Sequence, residues 1–114
     1  MTKSIIVAID EQDKASFNRI LDSLEPNLCM VKIGSVSFNA LGNDIIYSVA
    51  GKGFDIFLDL KLHDIPNTVK KSVEGLSTLP IKMLTIHTSG GRLMMESAME
   101  ALKGTDIKVF GVTA

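Results

Sequence analysis

Short runs rich in β-branched residues alternate along this chain with longer stretches of helical periodicity, and this alternation limits the possible folds. Five runs are predicted to be strands, at residues 4–10, 29–34, 55–61, 82–88 and 107–114. Strands that alternate with helices lie parallel and are joined by right-handed crossovers. The sequence therefore predicts an α/β protein.

Four helices are predicted between these strands. Apolar residues at helical spacing define the first two: Phe17, Ile20, Leu21 and Leu24, then Phe38, Leu41, Ile45 and Val49. Pro26 is predicted to end the first helix, and the second stripe indicates one continuous helix. The third helix is predicted to begin near Asn67 and the fourth after Gly91, with Leu93 and Met94 on its apolar side.

Two architectures fit this order, an open doubly wound sheet and an arc of a (β/α)8 barrel. A dinucleotide-binding sheet needs a Gly-x-Gly-x-x-Gly loop after its first strand, where this chain has Asp10, Glu11 and Gln12. A complete eight-stranded barrel typically needs ~250 residues. The 114 residues of this chain are too few for one.

Charge and hydropathy narrow the possible partners. The formal net charge of −1 gives no electrostatic basis for binding nucleic acid or an anionic membrane. No apolar run approaches the ~20 residues that cross a bilayer, and no signal-peptide pattern precedes the first strand. The single cysteine, Cys29, cannot form an internal disulfide, which fits a reducing compartment. Because Cys29 lies in an apolar run, it is expected to be a packed thiol. A cytoplasmic protein is expected.

Polar residues interrupt four successive apolar strands near the same end. Asp10, Lys32 and His87 lie near the ends of strands one, two and four, and Asp59 and Lys61 close strand three. The carboxyl ends of parallel strands converge on one face of a barrel, where barrel enzymes place their chemistry. Because Asp59 and Lys61 are two residues apart, both side chains are predicted to project to the same side of the strand.

Each of these residues also has a simpler interpretation. Asp10 alone is typical of a solvated loop residue or a helix cap, and His87 alone of a hydrogen-bonded structural residue. Lys32, Asp59 and Lys61, however, lie in apolar runs, where an unpaired charge costs several kcal/mol. The coincidence on successive strands favours one shared site.

Residues 59–69, which read DLKLHDIPNTV, closely resemble the orotidine 5'-monophosphate decarboxylase family. Weaker matches lie at residues 7–10 (VAID), 31–34 (VKIG), 84–87 (LTIH) and 110–114 (FGVTA). The resemblance implies a (β/α)8 TIM-barrel fold, of which this chain covers about five strands and four helices. Residues 1–114 would be the amino-terminal part of a single domain, without the carboxyl-terminal strands and the phosphate-binding loop.

The resemblance also implies a carbon–carbon lyase that converts orotidine 5'-monophosphate to UMP and CO₂, the last step of pyrimidine nucleotide synthesis, without metal or organic cofactor. The catalytic residues it implies form an alternating charge network: Lys61, Asp59, Lys32 and Asp64. The implied substrate-binding residues are Asp10, Lys32, Asp64, Ile65, Thr68 and His87. In this family the active sites of a homodimer are completed across the interface, so Asp64, Ile65 and Thr68 would reach the partner's site.

Two alternatives remain at this point. Mg²⁺-dependent sugar-phosphate decarboxylases and hexulose-phosphate synthases share Asp-x-Lys-x-x-Asp, but hold the metal partly by an acidic residue where this chain has Lys32. The second alternative concerns the isolated chain, which is expected to be an inactive half-barrel that self-associates. The resemblance implies that the family's phosphate-gripping arginine, its mobile loop, and the serine and glutamine that recognise the pyrimidine are expected outside residues 1–114.

Overall fold

A computed structural model describes residues 4–113, which form a parallel five-stranded sheet with the strands side by side in chain order. The strands are β1 (Ile5–Ile9), β2 (Cys29–Gly34), β3 (Ile56–Leu62), β4 (Met83–His87) and β5 (Lys108–Val112). The helices are α1 (Lys14–Asp22), α2 (Ser35–Leu41), α3 (Asn43–Gly51), α4 (Pro66–Leu76) and α5 (Arg92–Ala101), and a 3-10 turn spans Thr88–Gly90. The predicted α/β class and parallel order are confirmed. Across residues 4–113, none of the helices has the length and apolar character needed to cross a bilayer.

The hydrophobic core lies between one face of the sheet and the helices. Right-handed crossovers between successive neighbouring strands put all the helices on the same side. Ile33, Leu58 and Leu84 are aligned on adjacent strands and fully buried on that side. The helices cover them with buried apolar residues: Phe17, Leu21, Ile45, Val49, Val69, Val73, Met94 and Ala98. Each such branched or aromatic side chain contributes about 1.5–3 kcal/mol by leaving water.

The region between β2 and β3 differs from the prediction of one helix. It contains two helices, α2 and α3, so the described chain has five α-helices where four were predicted. The break is at Gly42, whose φ of 69° and ψ of −163° lie in a region that only glycine adopts readily. The predicted apolar stripe still packs on the core on both sides of the break, since Ile45 and Val49 are buried and Phe38 is half-buried.

The prediction that Pro26 ends the first helix is wrong. α1 ends at Asp22, and Leu24 lies beyond it while still packing on the core. Beyond Asp22 the backbone bonds tighten, because the N–H groups of Ser23 and Leu24 donate to the carbonyls three residues earlier, those of Ile20 and Leu21. The Ser23 side chain also donates a 2.6 Å hydrogen bond to the carbonyl of Ile20.

The outer strands are less buried than their apolar sequences suggest. β1 was predicted to be a buried strand, but Ile5 and Ile6 are 58% and 45% exposed. Within residues 4–113, β1 pairs only with β2, and β5 pairs only with β4. The predicted last residue of the fifth strand, Ala114, lies outside the described residues.

On α5, Met94 is buried as predicted, whereas Leu93 is 70% exposed.

The break at Gly42 can be tested by substitution with alanine. An added Cβ at Gly42 or at Gly51 would meet nothing within 4 Å, so packing is not affected at either position. Because Gly42 has a positive φ, we expect Gly42→Ala to lower the free energy of unfolding by about 1–3 kcal/mol in urea denaturation. Gly51, at the end of α3 without a positive φ, is the control, and Gly51→Ala should raise stability by about 0.4–1 kcal/mol. Stabilisation by both substitutions would indicate one continuous helix.

Candidate active site

The parallel sheet brings most of the predicted polar residues to one small cavity at the carboxyl ends of the strands. This cavity has a volume of about 210 Å³ and is lined by residues from β1 to β3 and the segments that follow them: Asp10, Lys32, Gly34, Ser35, Val36, Asp59 and Lys61. Four of the lining residues are charged, two of each sign. The predicted convergence of Asp10, Lys32, Asp59 and Lys61 is therefore found in the structure.

Asp59 is the centre of the charge arrangement. The residue is only 8% exposed, and its Oδ2 lies 2.8 Å from Lys61 Nζ and 3.5 Å from Lys32 Nζ. Its other oxygen, Oδ1, accepts a 2.7 Å hydrogen bond from the hydroxyl of Thr85. Both oxygens are therefore engaged, as a buried carboxylate requires.

These contacts change the acidity of Asp59. Burial alone raises the pKa of its carboxyl group, because the charged form loses its hydration. The hydrogen bonds from Lys61 and Thr85, and the positive charges of Lys61 and Lys32, act in the opposite direction and outweigh it. The pKa of Asp59 is therefore lowered from its ordinary value, and the side chain is a carboxylate at neutral pH.

Lys61 lies in an irregular part of β3. Its φ of 50° makes it the one non-glycine residue with a positive φ within residues 4–113. The register with β4 shifts here, since Leu58 pairs with Leu84 but Leu62 pairs with Ile86, so that four steps along β3 match two along β4. Such a bulge re-aims side chains. Asp59 and Lys61 meet as predicted, but they do so through this bulge and not through regular strand alternation.

Asp10 is positioned by contacts on both sides of it. A Cβ built on Gly34 would lie 3.4 Å from Asp10 Oδ1, so the carboxylate lies close over the end of β2. The fully buried hydroxyl of Ser37 accepts the N–H of Glu11 at 2.8 Å and donates to the carbonyl of Ile9 at 2.9 Å. Ser37 thus holds the backbone on either side of Asp10.

The other predicted site residues lie outside the cavity within the described chain. Asp64, Ile65 and Thr68 are exposed in the loop after β3 and the first turn of α4, and Asp64 accepts the N–H of Ile65 at 2.7 Å. His87 ends β4, where its Nδ1 lies 2.7 Å from Ser89 Oγ and its ring stacks on His63 at a centroid distance of 5.6 Å.

Sequence reasoning missed Thr85 and Ser37. Both are almost fully buried polar residues that contact or position the predicted charges. Thr85 lies in a strand whose other residues are mostly apolar, and this is the signal that could have singled it out. Ser37 lies beside apolar helical residues and gives no comparable signal.

A larger groove of about 640 Å³ runs along the outer side of α5. Met95 and Met99 line it together with Arg92, Glu96, Glu100 and Lys103. These charges belong to a solvated helix surface, where Arg92 pairs with Glu96 one turn away. Size would favour this groove over the smaller cavity, but of the two it is the smaller cavity in which opposite charges converge on a buried carboxylate.

The chemistry available in the cavity follows from exposure. Asp59 is covered, whereas the side chain of Lys61 is 51% exposed and can present its ammonium protons to a bound molecule. The arrangement combines a buried carboxylate with two cations, and one of these, Lys61, can also donate a proton. Within residues 4–113, no three His, Cys, Asp or Glu side chains are grouped so that they could hold a metal ion.

The lowered pKa of Asp59 predicts a pH-dependent contribution to stability. A carboxyl group with a folded-state pKa below its ordinary value of 3.8 stabilises the fold above that pH, and this contribution is lost as the pH falls through the folded pKa. We expect Asp59→Asn to remove it. The difference in unfolding free energy between wild type and Asp59→Asn, from urea denaturation, should therefore be largest near neutral pH and shrink below pH 3.8. A difference independent of pH would contradict the ion pairing.

Comparison with known proteins identifies the family. The model of the orotidine 5'-phosphate decarboxylase / HUMPS family matches residues 3–114. The orotidine 5'-phosphate decarboxylase of Saccharophagus degradans is 44% identical over 104 residues, which cover 91% of this chain and 44% of that protein. The chain spans about half the length of the curated relatives that it matches.

Solved structures agree with this match. The crystal structure of orotidine 5'-phosphate decarboxylase from Lactobacillus acidophilus superposes with a TM-score of 0.89 at 38% identity, covering 99% of this chain and 54% of that one. The orotidine 5'-monophosphate decarboxylase of Methanocaldococcus jannaschii, at 20% identity and with a TM-score of 0.89, shares the fold over 99% of this chain and 53% of its own. The five strands form part of a TIM barrel, and the chain belongs to the orotidine 5'-phosphate decarboxylase / HUMPS family.

Proposed function

We propose that this chain supplies the charged catalytic residues of an enzyme that decarboxylates orotidine 5'-monophosphate to UMP and CO₂. The observation that carries the proposal is the buried Asp59 carboxylate held between Lys61 and Lys32 in a cavity at the carboxyl ends of the strands. The proposal is also supported by the family to which the chain belongs, because that family includes orotidine 5'-phosphate decarboxylases. The activity assigns the protein to the carbon–carbon lyases.

Lys61 is the proposed proton donor. When the bond between C6 of the pyrimidine and its carboxylate breaks, CO₂ leaves and the electron pair stays on C6. The Lys61 ammonium stabilises this negative charge and transfers a proton to C6, which forms the C–H bond of UMP. Lys61 then regains a proton from water. Its half-exposed side chain supports this role, since its ammonium is accessible while Asp59 is covered.

Asp59 is proposed to lie beside the substrate carboxylate. Its fixed negative charge repels the substrate carboxylate and so raises the free energy of the bound substrate. The same charge keeps the Lys61 ammonium near C6, where negative charge develops, which is a preorganised electrostatic effect. Lys32 pairs with the same oxygen of Asp59 and holds it in place. Asp10, whose carboxylate lies over Gly34 at the cavity wall, is proposed to accept a hydrogen bond from a ribose hydroxyl. The Lys32 ammonium is proposed to donate a hydrogen bond to a ribose hydroxyl.

A homodimer is proposed to complete the site. Asp64, Ile65 and Thr68 are exposed and lie outside the cavity of their own chain, and Ile65 is 66% exposed although it is apolar. These features support a role in the partner's cavity, with Ile65 against the apolar side of the substrate. His87 is proposed to lie near the ligand. The homodimer remains an expectation from the family resemblance, and the cytoplasmic location remains a prediction from the sequence.

The Mg²⁺-dependent chemistry of the superfamily is disfavoured by Lys32, because an ammonium group cannot bind a hard cation. The isolated chain is proposed to be inactive or nearly so. Binding energy from a remote phosphoryl group normally helps to position and activate the reacting ring. The relatives that this chain matches are about twice its length, and the phosphate-binding groups are expected in their other half.

The proposal is tested by following UMP formation from orotidine 5'-monophosphate by absorbance. The chain is assayed alone and as a chimera in which it replaces the matching amino-terminal part of the Saccharophagus degradans protein, each with and without EDTA. We expect turnover by the chimera, insensitive to EDTA, and little or none by the chain alone. An inactive chimera that folds would contradict the proposed function, and loss of activity in EDTA would favour the metal-dependent alternative.

Lys61→Ala in the active chimera should lower kcat by roughly 10²–10⁴-fold, because it removes the proton donor. Lys52→Ala is the matched control, since Lys52 also pairs with an aspartate, Asp22 Oδ1 at 2.8 Å, but on the exposed surface. Exposed pairs of this kind contribute little, so its kcat should stay near that of the parent. Near-parental turnover by Lys61→Ala would remove Lys61 from the mechanism.

A further inference from the structure

The hydroxyl of Thr85 contacts both members of the central ion pair. Thr85 lies in β4 and is 3% exposed. Its Oγ1 donates to Asp59 Oδ1 at 2.7 Å and accepts the backbone N–H of Lys61 at 2.9 Å. A single hydroxyl group therefore connects the carboxylate of one residue with the main chain of the other.

The hydrogen bond to Lys61 is made where the backbone is strained. A non-glycine residue with φ near 50° costs of order 1–3 kcal/mol and persists only when its surroundings hold it. The bulge between Leu58 and Leu62 interrupts the regular pairing of β3 with β4 at this point. The side chain of Thr85 supplies an acceptor for the Lys61 N–H there.

The direction of the two hydrogen bonds is fixed by chemistry. A backbone N–H can only donate, so the Thr85 oxygen accepts from Lys61 and its one proton is directed at Asp59 Oδ1. This leaves Asp59 Oδ2 for the ammonium groups of Lys61 and Lys32, at 2.8 Å and 3.5 Å. The hydroxyl and the two ammonium groups therefore contact different oxygens of the same carboxylate.

We infer that Thr85 is a positioning residue whose hydroxyl fixes Lys61 relative to Asp59 by bonding the main chain of one and the carboxylate of the other. Its effect on turnover rests on the proposed function, whereas the positioning itself does not. Shape alone does not explain the contacts, because a side chain of the same size without a hydroxyl could neither accept from Lys61 nor donate to Asp59.

The first experiment compares Thr85→Val, which keeps the shape and removes the hydroxyl, with Thr85→Ser, which keeps the hydroxyl. The ionisation of Asp59 is followed in the 114-residue chain by the carbon-13 shift of its carboxyl group against pH, with circular dichroism to verify the fold. The charged neighbours in the cavity, Lys32, Lys61 and Asp10, are unchanged in both variants. We expect a higher pKa for Asp59 in Thr85→Val and a pKa like that of wild type in Thr85→Ser.

Equal titration of Asp59 in wild type and Thr85→Val would overturn the inference. Should Thr85→Val fail to fold, Thr85→Ala is compared with Thr85→Ser, since these two variants also differ only by the hydroxyl. A higher pKa in Thr85→Ala supports the inference, and an equal pKa in the two variants overturns it.

The second experiment measures kcat and KM for the same variants in the chimera. We expect Thr85→Val to lower kcat by about 10- to 100-fold with KM little changed, because a misplaced catalytic group weakens the transition state more than substrate binding. Thr85→Ser should restore kcat. If the parent chimera is active and Thr85→Val has the same kcat, the inference about Thr85 is overturned while the proposed function stands. An inactive parent would overturn the proposed function, and the titration of Asp59 would still decide the role of Thr85.

Discussion

A carboxylate that is almost completely withdrawn from water must be paired, and Asp59 imposes this requirement on the strands around it. Leaving it unpaired would cost several kcal/mol. Its partners come from three strands: Lys32 from β2, Lys61 from β3 and Thr85 from β4. The bulge in β3 is part of this arrangement, because Lys61 lies within it and its ammonium reaches back to Asp59.

The fold makes this pairing possible by separating two environments. One face of the sheet is filled by helices and apolar side chains, whereas charged groups gather at the carboxyl ends of the strands. Since parallel strands in chain order place equivalent ends next to one another, residues distant in sequence become neighbours without long connections. Ser37 adds a second fixed point, because its buried hydroxyl ties α2 to the loop after β1 and so places Asp10.

Much of the fold was predictable because strands and amphipathic helices have local periodicities. β2 has the predicted bounds, and the other strands differ by one or two residues at their ends. The errors have local causes that periodicity does not report. Gly42 divides a continuous apolar stripe into two helices, and α1 ends at Asp22 in a tightened turn, before Pro26. The exposure of Ile5 follows from its position on an outer strand, which a linear pattern does not encode.

The sequence by itself determined the alternating α/β order, the family motif at residues 59–69 and the four charged residues that meet in the cavity. Only the tertiary structure decided which groups hold those charges in place. Thr85 reaches Asp59 and Lys61 across 26 and 24 residues of sequence, and Ser37 reaches Ile9 across 28. Such contacts depend on strand register and on the bulge in β3. These are set by packing between distant segments and leave no mark in local sequence periodicity.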